Sequence, residues 1–321
     1  MSPSAQNEVA QHANGTNGSS AVHADVPGQI ETRLTLSGKV IAITGANRGI
    51  GLGIAECCLV NGASKVYSID LAEPGDEFNA VAKRFNGKLF AVQANVTKEE
   101  TVTQAIEQIV SEAGALHGMV VNAGRTNHKS ALDFTQEEIE ALFSINLFGA
   151  FYCARVAARQ FIKQGTKGAI VFTASMASYR PNKRVPSAPY GASKAGVRNM
   201  THTLAMEWAK YGIRVNSVSP GLVNTAMTYW VPQQPDWEQQ LKYYGGMPRL
   251  AEVQELGGAQ RCHRNLLRIA IAIVNMDLSS FNNQGPIEIY SHGFPASEWF
   301  FTYSVLDNPK RLHSYCLLVI M

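Results

Sequence analysis

The feature that most restricts this fold is a buried run broken by a glycine turn and resumed as a helix. Lys39 to Thr44 (KVIAIT) is β-branched and apolar, as a strand covered on both faces must be. It runs into T-G-A-N-R-G-I-G, Thr44 to Gly51, and then into LGIAECCLVNG, a helical stretch that stops at Gly62. Strand, glycine turn and helix in that order give a glycine motif its meaning. Gly45 allows the tight turn, Gly49 lets a pyrophosphate approach the backbone, and Gly51 lets the helix pack on the strand. The helix N-terminus then offers free N–H groups and its dipole to an anion.

The same alternation continues. Strands are expected at Lys65 to Asp70, Leu89 to Gln93, Gly118 to Asn122, Ala169 to Thr173 and Arg214 to Val218, with helices over Thr101 to Ala113 and Gln136 to Lys163. Strands alternating with helices from 39 to 218 predict an α/β fold with a doubly wound parallel sheet. Such sheets bind ligands beyond the carboxyl ends of their strands. Asp70 ends the second strand about twenty residues past the glycines, where a carboxylate accepts both ribose hydroxyls of an adenosine and repels a 2′-phosphate. Arg48, inside the turn, pulls the other way, because guanidinium binds phosphate. The balance leans to NAD over NADP. Asn95 follows the third strand, where a side chain could meet the adenine edge, and Asn122-Ala123-Gly124 ends the fourth.

Chemistry enters with residues 170–194, which begin as a strand and end in a helix carrying Tyr190 and Lys194. Their i, i+4 spacing puts phenol and ammonium on one helix face. A free tyrosine titrates near ~10, and a fixed cation favours its phenolate, so the expectation is a lowered phenol able to pass a proton at neutral pH. Ser175, at the mouth of the preceding strand, could hydrogen-bond a substrate oxygen. Asn146 lies mid-helix, a position that matters if it is aimed inward beside a lysine. Residues 226–250 are aromatic-rich and irregular, and read as a lid over the substrate pocket.

Composition excludes several classes. The net charge is +3 with no dense basic run, so neither nucleic acid nor an anionic membrane is expected as a partner. Five cysteines stand without C-x-x-C spacing and the histidines form no ligand pattern with them, so no metal is expected and a reducing, cytoplasmic setting is. No apolar run is expected to span a bilayer. The first 35 residues, rich in Ser, Asn, Gly and Ala, read as a disordered leader.

Taken together, T-G-x-x-x-G-I-G at 44–51, N-A-G at 122–124, Asn146, Ser175, Y-x-x-x-K at 190–194 and P-G at 220–221 resemble the short-chain dehydrogenase/reductase family. The resemblance covers roughly residues 36–258, with the flavour of fungal polyol and ketose reductases. It implies a single Rossmann-type domain and hydride transfer between a nicotinamide cofactor and a secondary alcohol or ketone: a sugar, a polyol or a secondary-metabolite ketone. It implies Tyr190 as general acid/base, Lys194 as the group lowering its pKa and holding the nicotinamide ribose, Ser175 as the substrate-oxygen donor, and Asn146 as holder of a water linking Lys194 to solvent. Gly45, Arg48, Gly49, Ile50, Gly51, Asp70, Asn95, Asn122, Tyr190, Lys194, Val223 and Thr225 are implied cofactor contacts, and a homo-oligomer is implied by analogy. A cofactor-binding sensor or scaffold without turnover is the competing reading.

Three departures stand against the family pattern. Asn95 occupies a place usually held by Asp. The stretch RPNKRVP lengthens the gap between Ser175 and Tyr190. After Ala259 the expected helix, last strand and glycine pair do not follow. Pro286 to Tyr290 is the available substitute for that strand, and residues 260–321 read either as a diverged segment or as an artefact of gene prediction, which transcript sequencing across codons 255–265 would decide.

Overall fold

The computed structural model describes residues 35–181, 186–239, 241 and 249–257, together with the backbone of 289–290, 300–308 and 311–318. The expected leader, much of RPNKRVP, part of the lid and Pro286 to Glu288 lie outside the described residues.

Six strands form one all-parallel sheet: β1 (Val40–Thr44), β2 (Lys65–Asp70), β3 (Leu89–Gln93), β4 (Gly118–Val121), β5 (Ala169–Thr173) and β6 (Arg214–Val218). Their spatial order is β3-β2-β1-β4-β5-β6, so the direction of winding reverses between β1 and β4. Parallel pairing requires crossovers, and the helices that make them cover both faces. Those helices are α1 (Gly49–Val60), α2 (Asp76–Arg84), α3 (Glu99–Ala113), α4 (Gln136–Phe143), α5 (Ala150–Lys163) and α6 (Ala188–Trp208).

Side chains alternate across the strands as the pleat demands. Ile41 and Ile43 of β1 join Leu52, Ala55 and Leu59 of α1 and Phe78 of α2 in one core layer. Val40 and Ala42 face the other way, into a larger layer with Ile106 of α3, Phe161 of α5 and Val197 of α6. Packing is close enough to specify residue size: a Cβ at Gly53 of α1 would stand 3.0 Å from Val253 Cβ on the short helix α7 (Val253–Gly257). Between α3 and α5, Glu99 takes both Arg155 and Arg159 as ion-pair partners.

Two expectations are corrected. The stretch Gln136–Lys163 holds an 18-residue window of mean hydropathy 1.4, long and apolar enough to cross a membrane. Half of that window is buried inside the protein, and Cys153, Ala154, Ala157 and Phe161 spend their apolar surface in the core. Second, Ile289–Tyr290 (β7) does not extend the parallel sheet. It pairs antiparallel with β8 (Phe300–Asn308), which pairs antiparallel with β9 (Arg311–Leu318), in a separate three-stranded sheet.

Candidate active site

The glycine turn is built at the point where the winding reverses. Thr44, the last residue of β1, accepts on its Oγ1 from the N–H groups of Asn122 (2.9 Å) and Ala123 (3.0 Å), which fastens the end of β4 to the end of β1. Asn122 in turn donates from Nδ2 to the carbonyls of Thr44 and Gly45 (3.1 Å each) and accepts from Thr173 Oγ1 at 3.2 Å. Its carboxamide is therefore spent on shaping the turn, which leaves only its main chain for a cofactor. A side chain at Gly51 would overlap the Gly45 carbonyl oxygen and come within 2.8 Å of Ala46 Cα, so no other residue fits there. Gly49 has φ +58 and open space above it, bounded by Thr225 Cγ2 at 3.8 Å from where a Cβ would be. This is a cradle shaped for a phosphate at a helix N-terminus. Ile50 packs behind the turn against the α1 core layer.

At the end of β2 the Asp70 carboxylate is aimed by two main-chain donors, Asn47 N–H to Oδ2 and Ala72 N–H to Oδ1, each at 3.2 Å. Asn47, which the sequence reading passed over, also donates to the Ala72 carbonyl (2.6 Å) and accepts from the buried Ser68 hydroxyl (2.7 Å). Arg48, next in sequence to Asn47, is exposed. Together the turn and the acid fit a dinucleotide.

Across the reversal point, β5 and α6 bring the candidate catalytic groups Ser175, Tyr190 and Lys194 together. Ser175 caps a short turn, accepting from Ala177 N–H at 3.1 Å, while Met176 N–H donates to the Pro220 carbonyl at 3.0 Å. The Ser175 hydroxyl lies near enough to the Tyr190 phenol to pull its pKa downward. Lys194 is buried, donates to the Thr173 carbonyl at 2.7 Å, and its Nζ lies 5.9 Å from the Tyr190 ring centroid. Burial lowers Lys194 from 10.5 to about 8. Burial also raises Tyr190 above its ordinary 10, against an opposing pull from Ser175. The expectation of a phenol lowered by its lysine is thus corrected: the ammonium is turned to the Thr173 carbonyl, and loss of water dominates.

Asn146 enters from an irregularity. Between α4 and α5 the chain winds through a π turn, Ser144–Gly149, which puts this asparagine inside at 1% exposure. Its Oδ1 accepts from Arg125 N–H and its Nδ2 donates to the Arg125 carbonyl, each at 2.9 Å, and to Ser193 Oγ at 3.1 Å. The Ser193 hydroxyl donates in turn to the Tyr190 carbonyl at 2.8 Å. A Cβ at Gly124 would meet Asn146 Oδ1 at 3.2 Å and Lys194 Nζ at 3.4 Å, so both polar ends converge over that glycine. The signal for Ser193 was its place beside Lys194, and for Thr44 its place at the head of the glycine motif; Asn47 carried none of its own.

The cover is partly described. Val223 is buried and bridges to Ala251, and Thr225 and Thr228 hydrogen-bond into the Val223 carbonyl. Trp230 meets His128, from the loop after β4, edge-on at 5.5 Å. Asn95 does not reach this centre; it stands past the end of β3, with Oδ1 held by Thr97.

The model of the short chain dehydrogenase family matches residues 39–236. The 2-dehydro-3-deoxy-D-gluconate 5-dehydrogenase of Escherichia coli (strain K12) is 33% identical over 202 residues, 62% of this chain and 77% of that one. The sorbose reductase of Schizosaccharomyces pombe is 35% identical over 234 residues, 70% of this chain and 88% of that one. The crystal structure of a gluconate 5-dehydrogenase from Burkholderia cenocepacia, in complex with NADP and tartrate, superposes with TM-score 0.67 at 28% identity, covering 78% of this chain and 93% of that one. With a glycine cradle at the sheet's reversal point and a serine–tyrosine–lysine cluster facing it, this chain belongs to the short-chain dehydrogenase family of NAD(P)-dependent oxidoreductases.

Proposed function

We propose that this enzyme interconverts a ketose-like ketone and its secondary alcohol, with NAD(H) preferred and Tyr190 as the proton-transferring group. The observation that carries the reading is the gathering of the Ser175 hydroxyl, the Tyr190 phenol and the buried Lys194 ammonium at the end of β5. When bound, the cofactor supplies or accepts the hydride. The chain's own residues do the rest. Ser175 and Tyr190 present two hydroxyls to one substrate oxygen, which orients the carbonyl and draws charge onto that oxygen. In reduction Tyr190 gives its Oη proton to that oxygen. A phenol raised above 10 stays protonated in the resting enzyme, which suits the donor role. Lys194, charged below about 8, adds a buried cation to the site, its Nζ 5.9 Å from the Tyr190 ring centroid. Asn146 and Ser193 hold Lys194's surroundings and the Tyr190 main chain in register.

The preference for NAD(H) rests on Asp70. Its carboxylate is held in place by two main-chain N–H groups at the strand end, where a 2′-phosphate would meet a fixed negative charge. The ketose or polyol substrate class rests on the sorbose reductase and the gluconate dehydrogenases among the relatives. A homo-oligomer is proposed on family analogy alone.

The test follows NADH and NADPH oxidation against ketoses, keto-acids of sugars and simple ketones. Turnover of a ketose with NADH, abolished in Tyr190→Phe, supports the proposal. Tight dinucleotide binding with no turnover across the panel would instead favour a sensor or scaffold.

A further inference from the structure

The base end of the dinucleotide site has a defined hydrogen-bond polarity. If the pyrophosphate lies on the turn after β1 and the ribose at Asp70 after β2, the base falls beyond β3, because adjacent strands stand only about 4.8 Å apart. The residue there is Asn95, two positions past Gln93, in a chain segment fastened to β2 by Ala94 N–H donating to the Asp70 carbonyl at 2.9 Å. Leu71, next to Asp70, is a large apolar side chain left 64% exposed, a flat face for a purine.

The orientation of the Asn95 carboxamide is decided by its neighbours. Its side-chain oxygen accepts from the Thr97 main-chain N–H at 3.0 Å and from the Thr97 hydroxyl at 2.8 Å. A backbone N–H can only donate, so the atom facing it must be the oxygen. The amide nitrogen is thereby turned away, with both N–H groups unpartnered among the described residues. Asn95's main chain is locked as well, by Thr101 Oγ1 at 3.1 Å from its N–H and 2.7 Å from its carbonyl oxygen.

We infer that Asn95 presents a hydrogen-bond donor, not an acceptor, to the base, so that the 6-position edge of the purine is read by an N–H group. This rests on the dinucleotide reading above. A donor there faces the 6-amino group of adenine, itself a donor, and must settle for ring N1. It meets the 6-oxo group of hypoxanthine directly. The site is therefore permissive toward 6-oxopurine dinucleotides, and Asn95 sets that permissiveness. Aspartate at the same position keeps the acceptor toward Thr97, so the loop still folds, but replaces the outward donor with an acceptor.

The experiment is equilibrium binding, by quenching of tryptophan fluorescence, of NADH and of reduced nicotinamide hypoxanthine dinucleotide to the full-length protein and to Asn95→Asp. In the wild type the two Kd values should agree within about threefold, and in Asn95→Asp the hypoxanthine form should lose about tenfold relative to NADH. A wild type that already rejects hypoxanthine as strongly as Asn95→Asp overturns the inference and leaves the dinucleotide reading standing. Binding of neither nucleotide overturns both.

Discussion

The Asn146 carboxamide grips the main chain of Arg125 from both sides, accepting its N–H and donating to its carbonyl at 2.9 Å each. The same carboxamide holds Ser193, whose hydroxyl is bonded to the Tyr190 carbonyl. One buried side chain therefore ties the loop after β4 to the first turns of α6. Replacing it with leucine leaves the Arg125 N–H and carbonyl without their partners. Each buried group so stranded costs on the order of 1–3 kcal/mol. We expect Asn146→Leu to lower Tm by several degrees and to depress turnover. An unchanged Tm in calorimetry would show that solvent replaces these bonds freely.

Lys194 makes stability depend on pH in a direction opposite to a salt-bridged lysine. Its folded value is about 8, below its ordinary 10.5. Below pH 8 both folded and unfolded chains hold the proton, and the folded chain bears the full penalty of a buried charge. Between about 8 and 10.5 the unfolded chain binds more protons, so stability from this group rises with pH. The penalty is on the order of 3 kcal/mol, offset in part by the bond to the Thr173 carbonyl. Lys194→Met should abolish turnover yet unfold in urea at equal or higher concentration at pH 7, and should lose the rise between pH 8 and 10. Parallel pH profiles for the two proteins would refute this.

Tyr190→Phe removes one oxygen from a partly buried site. Turnover should fall by roughly 10²–10⁴, the usual range for losing a positioned proton donor. Dinucleotide affinity should stay within about threefold, because the phenol oxygen does not build the glycine cradle. In the wild type, ketone reduction should decline as pH rises through about 8, where Lys194 loses its charge, while the phenol itself stays protonated beyond 10. A steady-state pH profile checks this; a decline that first appears above 10 would remove Lys194 from the step.

Asp70→Ser takes away the fixed charge at the end of β2. NADPH should gain at least about tenfold over NADH in kcat/KM, with Arg48 free to meet the 2′-phosphate. If the ratio does not move, the discriminating charge lies elsewhere.

The sheet was legible because burial on both faces leaves a strand few residue types to use. KVIAIT and KVYSID match β1 and β2 to within a residue, and AIVFT matches β5. The Tyr190–Lys194 spacing was legible for the same kind of reason, since it needs only one helix turn. What escaped were relations across long sequence separation. Nothing local marks Thr44 as the residue that binds β4 to β1, or Asn47 as the holder of Asp70. The π turn at Ser144–Gly149 was hidden inside an unbroken apolar pattern, which is also why Gln136–Lys163 matches a membrane span in composition.

Sequence alone determined the alternation of strands and helices, the glycine turn and the pairing of a phenol with an ammonium on one helix face. These follow from periodicity and from steric limits that act within a few residues. Tertiary structure alone decided the direction in which the proton affinities of these two groups shift. Burial raised Tyr190 and lowered Lys194, and the Thr173 carbonyl took the ammonium that the sequence had assigned to the phenol. Electrostatic energies depend on how much water is excluded and on which dipoles lie within a few ångströms, and neither exists until distant segments have packed together.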